Sequence, residues 1–379
     1  MSSLSLWEKE SFYSTQDIII IGSGFMGLWT ALELKRKNSS LRITILEKNI
    51  TPLGASTRNA GFACFGSPTE LISDIEKMGL EETLEIVQMR FMGLEKIKSV
   101  FGANQIDLDN CGGYECINKN YTYWDSLDEK IAALNLQIKE ITEKDQTYVR
   151  KDEAITQKGM FGFDAMFENT LESGLHSGKL VSLLIQKVQA SGISILNGIE
   201  VKSWERSLDG IHVYTMQQIR FTSNQILFCT NAYGNSLLPQ LNITPARGQV
   251  IVTSKIPNLN LRGTFHFDEG FYYWRNLDGR ILLGGARNTD FEGEKTMDIS
   301  GSELIKNKLI QFLKAHMDPS YQYTIENHWS GIMGFTENKK PLLSKVDNNV
   351  FAAIACNGMG VALAPIIGEK AADLLLLHF

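Results

Sequence analysis

DIIIIGSGFMG, residues 17–27, decides the fold. Asp17 to Ile21 reads as a short strand. Its apolar run is unbroken, as expected of a strand covered on both faces. Gly22 lets the chain turn sharply off that strand. Gly24 removes a side chain where a pyrophosphate must approach the backbone, and Gly27 lets the following helix pack closely on the strand. Ser23, Phe25 and Met26 fill the rest of the turn, where free amides and the helix dipole favour anionic phosphates. Residues 28–37 (LWTALELKRK) predict a helix closed by basic residues, and residues 41–46 (LRITIL) a second strand. Glu47 follows, roughly 20 residues past the glycines, where an acid bonds ribose hydroxyls, with Lys48 beside it. The whole is a βαβ unit that binds a dinucleotide.

Outward from that unit, residues 51–66 (TPLGASTRNAGFACFG) are rich in small residues and predict no periodic element. Helices are expected over 68–101, and short strands with one helix near 126–134 over 105–150. Residues 179–190 predict an amphipathic helix, and 192–201 (GISILNGIEV) a strand pair. Further strands are expected at 211–214, 225–229, 246–253 and 271–285, the last with a turn at Asn276–Gly279. A helix at 301–316 follows. The tail from 350 repeats the opening theme: strand VFAAIA, turn CNGMG, helix VALAPIIGEKAADLLL. The expectation is α/β plus α+β: a discontinuous Rossmann-type domain (1–75, 150–235 and 325–379) with an antiparallel-sheet substrate domain (76–149 and 236–324).

Composition narrows the function. The 379 residues carry a formal net charge of -6, and no dense Lys/Arg block suggests a nucleic-acid partner. No apolar stretch approaches the roughly 20 residues needed to span a bilayer, and the start MSSLSLWEKESFYSTQD lacks the pattern of a signal peptide. A cytoplasmic enzyme without a membrane anchor is expected. Cys64, Cys111, Cys116, Cys229 and Cys356 are irregularly spaced, with no zinc-type pair, and read as reduced thiols.

The blocks DIIIIGSGFMG, LEKN, GASTRNAGF, HSGKLVSLL, TNAYG, PARGQV, FYYWRNLDGRILLGGAR, HWSGIMGFTENKKPLL and CNGMGVALAPIIGEKAADLL together resemble the FAD-dependent D-amino acid oxidase family, which includes glycine, sarcosine and γ-glutamylputrescine oxidases. The resemblance implies FAD rather than NAD. Ser56, Thr57, Arg58, Asn59, Ala60 and Gly61 combine small side chains with polar donors that suit a pyrophosphate and a flavin ring. The resemblance places Arg58 in the catalytic set and Phe62 on the substrate side. Val201 is expected at the adenine, and Thr230, Asn231 and Ala232 over the FAD. Gly358, Met359, Gly360 and Val361 open a helix whose dipole would favour negative charge on reduced flavin. Gly331 stands where some relatives attach FAD to a cysteine, so the flavin is expected to be non-covalent.

On the substrate side, resemblance to sarcosine oxidase implies that Tyr273 faces the flavin in a catalytic and substrate-binding role. His266, just upstream, could touch substrate but reads first as an ordinary polar histidine. The family's carboxylate-binding cations are missing: Met333, Gly61 and Ala362 stand at those places. This resembles the γ-glutamylputrescine oxidase pattern and argues against a simple α-amino acid, although Arg275 or Arg287 could hold a carboxylate. Leu282 replaces the lysine that activates oxygen in sarcosine oxidases, which leaves oxygen or another electron acceptor open. The implied reaction is oxidation of an amine C–N bond to an imine. The alternatives are a flavin dehydrogenase of a non-amine substrate such as a hydroxy acid, a non-catalytic flavin-binding protein, and an NAD enzyme on the same motif.

Overall fold

The structure, a computed structural model, describes residues 4–379. They form two compact units. The first comprises residues to Thr57, Gly178–Pro245 and Met333–Phe379; the second comprises Arg58–Ser177 and Ala246–Ile332.

The first unit is built on a sheet in which Leu342–Asp347, Val350–Ile354, Arg220–Phe228, Gln16–Ile21, Ile43–Glu47 and Ser194–Asn197 lie in that order. From Val350–Ile354 to Ser194–Asn197 every pairing is parallel. The opening strand is therefore central, and Ile18, Ile19 and Ile20 are fully buried. A parallel sheet aligns the carboxyl ends of its strands. Ile21 is level with Phe228, and Phe228 with Ala352. The turns that follow these strands thus share one sheet edge, the opening and closing ones about 10 Å apart at the usual strand spacing.

The opening helix Phe25–Lys37 and the closing helix Gly360–Leu377 pack on each other. Their crossing is tight at Gly368, where a Cβ would lie 2.8 Å from Trp29 Cβ and 2.9 Å from Thr30 N. The opening helix starts three residues earlier than its hydrophobic pattern implies, because Gly24, extended at φ -70°, ψ 178°, is its N-cap.

The second unit has an eight-stranded sheet in the order Ile325–Phe335, Thr244–Thr253, Arg280–Gly285, Tyr272–Leu277, Thr264–Phe267, Gly113–Ile117, Ala165–Asn169 and Val149–Arg150. From Thr244–Thr253 to Val149–Arg150 neighbouring strands run antiparallel, except that Thr264–Phe267 runs parallel to Gly113–Ile117. The hairpin expected at Asn276–Gly279 forms, with Asp278 at φ 52° and Gly279 at φ 77°, both positive as a type I′ turn requires. Alternation splits the sheet into two faces. Phe265 stacks on Trp274 (5.4 Å) in a core with Phe312 and Leu313 of the helix Glu303–His316. His266 and Tyr273, register partners of each other, point to the opposite face.

Several elements differ from expectation. Residues 58–75 and 150–177 belong to the second unit, since Ala165–Asn169 pairs with Gly113–Ile117 and Phe62–Ala63 pairs with Ser173–Gly174. The strands Ser194–Asn197 and Val201–Ser207 do not pair with each other; they join Ile43–Glu47 and Gly210–Thr215 respectively. The segment 51–66 contains a helical turn, Ala55–Arg58. The helix expected near 126–134 runs over Leu127–Thr142, held by buried Leu134, Asn135 and Ile138.

Among the acids buried in the second unit are Glu115 and Glu172. Glu115 accepts from Thr69 N (2.8 Å), Ser67 Oγ (3.2 Å) and Thr69 Oγ1. Glu172 accepts from Phe65 N (3.0 Å). Burial pushes Glu115 up to about 7 and Glu172 up to about 8, against an ordinary 4.5. Both folded values exceed the unfolded one, so the folded state holds the extra protons. This stabilisation is complete below about pH 4.5 and is lost as pH rises through about 7 to 8. Thermal melts should therefore show a falling Tm between about pH 6 and pH 9, and the E115Q/E172Q pair should flatten that slope. A parent Tm that is constant or rises over this range would contradict the assignment. At the helix crossing, Gly368→Val should cost about 1–3 kcal/mol by overpacking, read as a lower Tm; an unchanged Tm would show that the helices separate freely.

Candidate active site

In the first unit, backbone geometry makes the nucleotide site. Gly22 adopts φ +107°, and a Cβ there would lie 2.7 Å from Cys229 O. A Cβ on Gly27 would overlap Gly22 O. These two contacts require glycine, and they hold the turn against the neighbouring strand and the helix against the turn. Leu28 is the first residue to enter the helical ladder, on Gly24 O (3.0 Å), so the preceding amides lie outside it. Ser56 Oγ takes one of them, Phe25 N, at 2.9 Å. Ser56 thus supplies the cap that Gly24 lacks. Thr57 Oγ1 donates to Pro52 O (2.7 Å) and secures the same loop.

Glu47 is buried at the end of its strand. One carboxylate oxygen accepts from Ser23 N (3.1 Å) and Ser23 Oγ (2.9 Å), the other from Asn49 N (3.0 Å) and Nδ2 (3.2 Å). The acid therefore fastens the glycine turn to its own strand end, and a ribose hydroxyl would share or replace the Ser23 contact. Lys48 Nζ stands 4.7 Å over the Tyr233 ring, beside the turn Asn231–Ser236 that contains buried Ala232. Val201 packs among the apolar residues of the sheet face with Ile21 and Leu46. Asn231 is left-handed at φ 51°, and a Cβ on Gly334 would strike its Oδ1.

At the closing strand, Ala355, Asn357 and Gly358 all have positive φ. Asn357 Oδ1 accepts from Thr336 N (2.9 Å). Met359 caps the helix, and Leu363 N bonds to Met359 O (3.0 Å), which leaves the amides of Gly360, Val361 and Ala362 ahead of the ladder. Met333 Sδ would be 3.7 Å from a Cβ on Gly358, so the residue at the expected clamp position presents a thioether to this turn.

In the second unit, Arg58 Nη1 donates to Ser330 O (2.8 Å), and Trp329 Nε1 donates to Arg58 O (3.1 Å). A Cβ on Gly331 would lie 2.9 Å from Arg58 Cβ. Asn59 Oδ1 accepts from Gly61 N (2.9 Å) and Ser177 Oγ (2.5 Å). Ala60 packs against Val250, Val252 and Leu282, together with Tyr273 and Trp329. Phe62 meets the His266 ring edge-on at 5.2 Å and the Tyr273 ring at 6.0 Å. Tyr273 lies over Gly284, where a Cβ would be 2.6 Å from its Cζ. Burial pushes the Tyr273 hydroxyl up to about 12 and the His266 imidazole down to about 4.

The two candidate arginines differ. Arg275 is buried and donates to Gly61 O (2.6 Å), Leu175 O (3.0 Å) and Asn276 O (3.3 Å). It ties three backbone segments together, so the structure assigns it to scaffolding rather than to a clamp. The Arg287 guanidinium lies against the rings of Phe291 (5.1 Å) and Phe271 (5.8 Å). Burial lowers its pKa, while Tyr273 acts against that shift.

A family model described as FAD dependent oxidoreductase matches residues 17–374. The chain belongs to that family. It is similar to the Gamma-glutamylputrescine oxidoreductase of Escherichia coli (24% identical over 386 residues, 95% of this chain and 84% of that one). It is also similar to the L-2-hydroxyglutarate dehydrogenase of Escherichia coli (23% over 327 residues, 79% and 72%). The crystal structure of L-proline dehydrogenase from P.horikoshii shares the fold, with a TM-score of 0.75 at 17% identity, covering 96% of this chain and 93% of that one.

As a member of the FAD dependent oxidoreductase family, the chain uses FAD, and the residues of the first unit fit it. Thr230, two residues after the strand Arg220–Phe228, has a buried Oγ1 with no hydrogen-bond partner. It stands at the sheet edge shared by the two glycine turns, where ladder-free amides await anionic groups. The sequence pattern missed Arg247, whose fork donates to Glu294 at 2.9 and 2.7 Å. The pair binds Thr244–Thr253 to the loop leading into the helix Glu303–His316, and a separation of 47 positions in the chain hides it. Thr230→Val should weaken FAD binding roughly tenfold, the worth of one hydrogen bond in a buried site, while the flavin-free protein melts no lower than the parent. Unaltered affinity in a fluorescence titration with FAD would remove Thr230 from the site.

Proposed function

We propose that this flavoenzyme oxidises the C–N bond of a small amine or amino-acid derivative to an imine, in the manner of γ-glutamylputrescine oxidases. One observation carries the reading: on the face of Phe62, Tyr273 and Leu282, the group that titrates near neutral pH, Glu115 at about 7, is already engaged by hydrogen bonds. Burial holds His266 near 4 and Tyr273 near 12. Glu115, the register neighbour of His266, is committed to Thr69 and Ser67. Oxidising a hydroxyl group requires a base to take its proton, and an effective base titrates near the working pH. A neutral amine needs none, because its own lone pair assists departure of the hydride. Bound FAD supplies the hydride acceptor; the chain's residues orient the amine and keep water from it.

In this reading, Tyr273 and Arg58 belong to the catalytic set. Phe62 and Tyr273 bound the substrate, and Arg287 is the cation that would attract a substrate carboxylate. Met333 contributes apolar surface. The flavin is held non-covalently, since Gly331 offers no thiol. The hydroxyglutarate dehydrogenase relative favours a second reading, oxidation of a 2-hydroxy acid.

Purified protein should show an oxidised-flavin spectrum, and acid precipitation should release the yellow colour into the supernatant. Under anaerobic conditions a panel of polyamines, γ-glutamyl polyamines, N-methyl amines and amino acids should contain a compound that bleaches the flavin. Oxygen uptake compared with dye reduction then identifies the acceptor. Bleaching by 2-hydroxy acids with no response to any amine would replace this reading with the second. Flavin that stays in the protein pellet would refute non-covalent binding.

A further inference from the structure

His266 is 8% exposed, yet its Nε2 has no hydrogen-bond partner. Folded chains pair nearly all such atoms, because a buried polar atom without a partner forfeits its hydration. An orphan nitrogen is not by itself a site. Trp274 Nε1 also lacks a partner, but it lies on the opposite face in the aromatic core. The surroundings of His266 differ. Its register partner Tyr273 shares its face, with a hydroxyl that burial raises to about 12. Phe62 presents an edge to both rings. A polar atom without a partner thus stands beside a phenol and a phenyl edge, the kind of arrangement by which a pocket orients a small ligand.

The imidazole is uncharged, because burial alone acts on it and lowers its pKa to about 4. A neutral ring carries one N–H and one lone pair. The other nitrogen, Nδ1, faces the turn at Gly270, where a Cβ would be 3.8 Å away. A proton on Nδ1 leaves the lone pair on buried Nε2.

Resting on the amine reading above, we propose that His266 is a specificity-determining residue whose Nε2 accepts a hydrogen bond from the substrate's amine N–H, alongside Phe62 and Tyr273. The acceptor holds the amine in its uncharged form without taking its proton. Primary and secondary amines satisfy the nitrogen; tertiary amines leave it orphaned.

The test compares the FAD-loaded parent with H266L and H266Q. Gln extends a polar atom to about the Nε2 position, and Leu fills the volume without one. Stopped-flow reduction of the flavin by the best amine of the panel gives an apparent Kd. H266L should raise that Kd roughly tenfold, and H266Q should stay within about threefold of the parent. Without substrate, H266L should melt at the same temperature as the parent or higher, because the orphan atom is gone. An H266L protein that melts lower, or fails to fold, or binds amine as tightly as the parent would overturn the proposal and mark His266 as a packing residue. If only 2-hydroxy acids bleach the parent flavin, the amine reading falls by itself. The H266L to parent Kd ratio measured with the hydroxy acid, together with the melts, then shows whether Nε2 contacts substrate; a ratio of one overturns the proposal there too.

Discussion

The contact between Gly22 and the carbonyl of Cys229 governs the first unit. The opening strand and the strand Arg220–Phe228 run parallel to their last residues, and the chain then turns where only a hydrogen atom fits between backbone and carbonyl. Gly27 repeats the condition one helical turn on, against Gly22 itself. These steric demands point the opening helix's amides at the sheet edge. They also bring Glu47, from the next strand over, within bonding distance of Ser23. The closing helix arrives at the same edge because its strand pairs in parallel with Arg220–Phe228. One edge therefore gathers two helix N-termini and their positive dipole ends, the arrangement that a dianionic pyrophosphate and an electron-accepting flavin require.

The second unit answers a different need. Its sheet divides by alternation into a face filled by Phe265, Trp274 and Phe312 and a face that carries His266, Tyr273 and Leu282. The filled face supplies cohesion. The loops beside the other face are held by polar ties: Arg275 to Gly61 and Leu175, Asn59 to Ser177, Glu172 to Phe65. Each tie joins backbone segments distant in sequence. The loops that carry Ala60 and Phe62 are therefore positioned by buried polar groups rather than by packing alone. Arg275 illustrates how a charged residue near a proposed substrate face serves as scaffold. Its guanidinium is spent on carbonyls, and burial without a carboxylate partner lowers its pKa.

Family membership fixes the cofactor and the general reaction, FAD-dependent oxidoreduction; under the proposed function the side chains around His266 and Tyr273 would define what is oxidised. Relatives include an amine-directed and a hydroxy-acid-directed enzyme, so the fold alone does not choose between them. The choice rests on acid–base chemistry, in which a buried neutral histidine and a buried neutral phenol favour a substrate that brings its own lone pair.

What the sequence by itself determined was local and periodic. The apolar run 17–21, the glycines at 22, 24 and 27 and the acid at 47 specify a βαβ turn because steric exclusion and helix geometry act within about thirty residues. The hairpin at Asp278–Gly279 and the closing strand–turn–helix were legible for the same reason. Tertiary structure alone decided which residues are spent and which are available. Nothing around Arg275 or Arg287 in the chain distinguishes a backbone tie from a half-buried cation. Nothing near His266 announces that its nitrogen has no partner. Glu115 and Glu172 look like ordinary surface acids until pairing buries them. Charge, hydrogen bonding and desolvation depend on neighbours supplied by segments tens to hundreds of residues apart, and a linear pattern does not encode those distances.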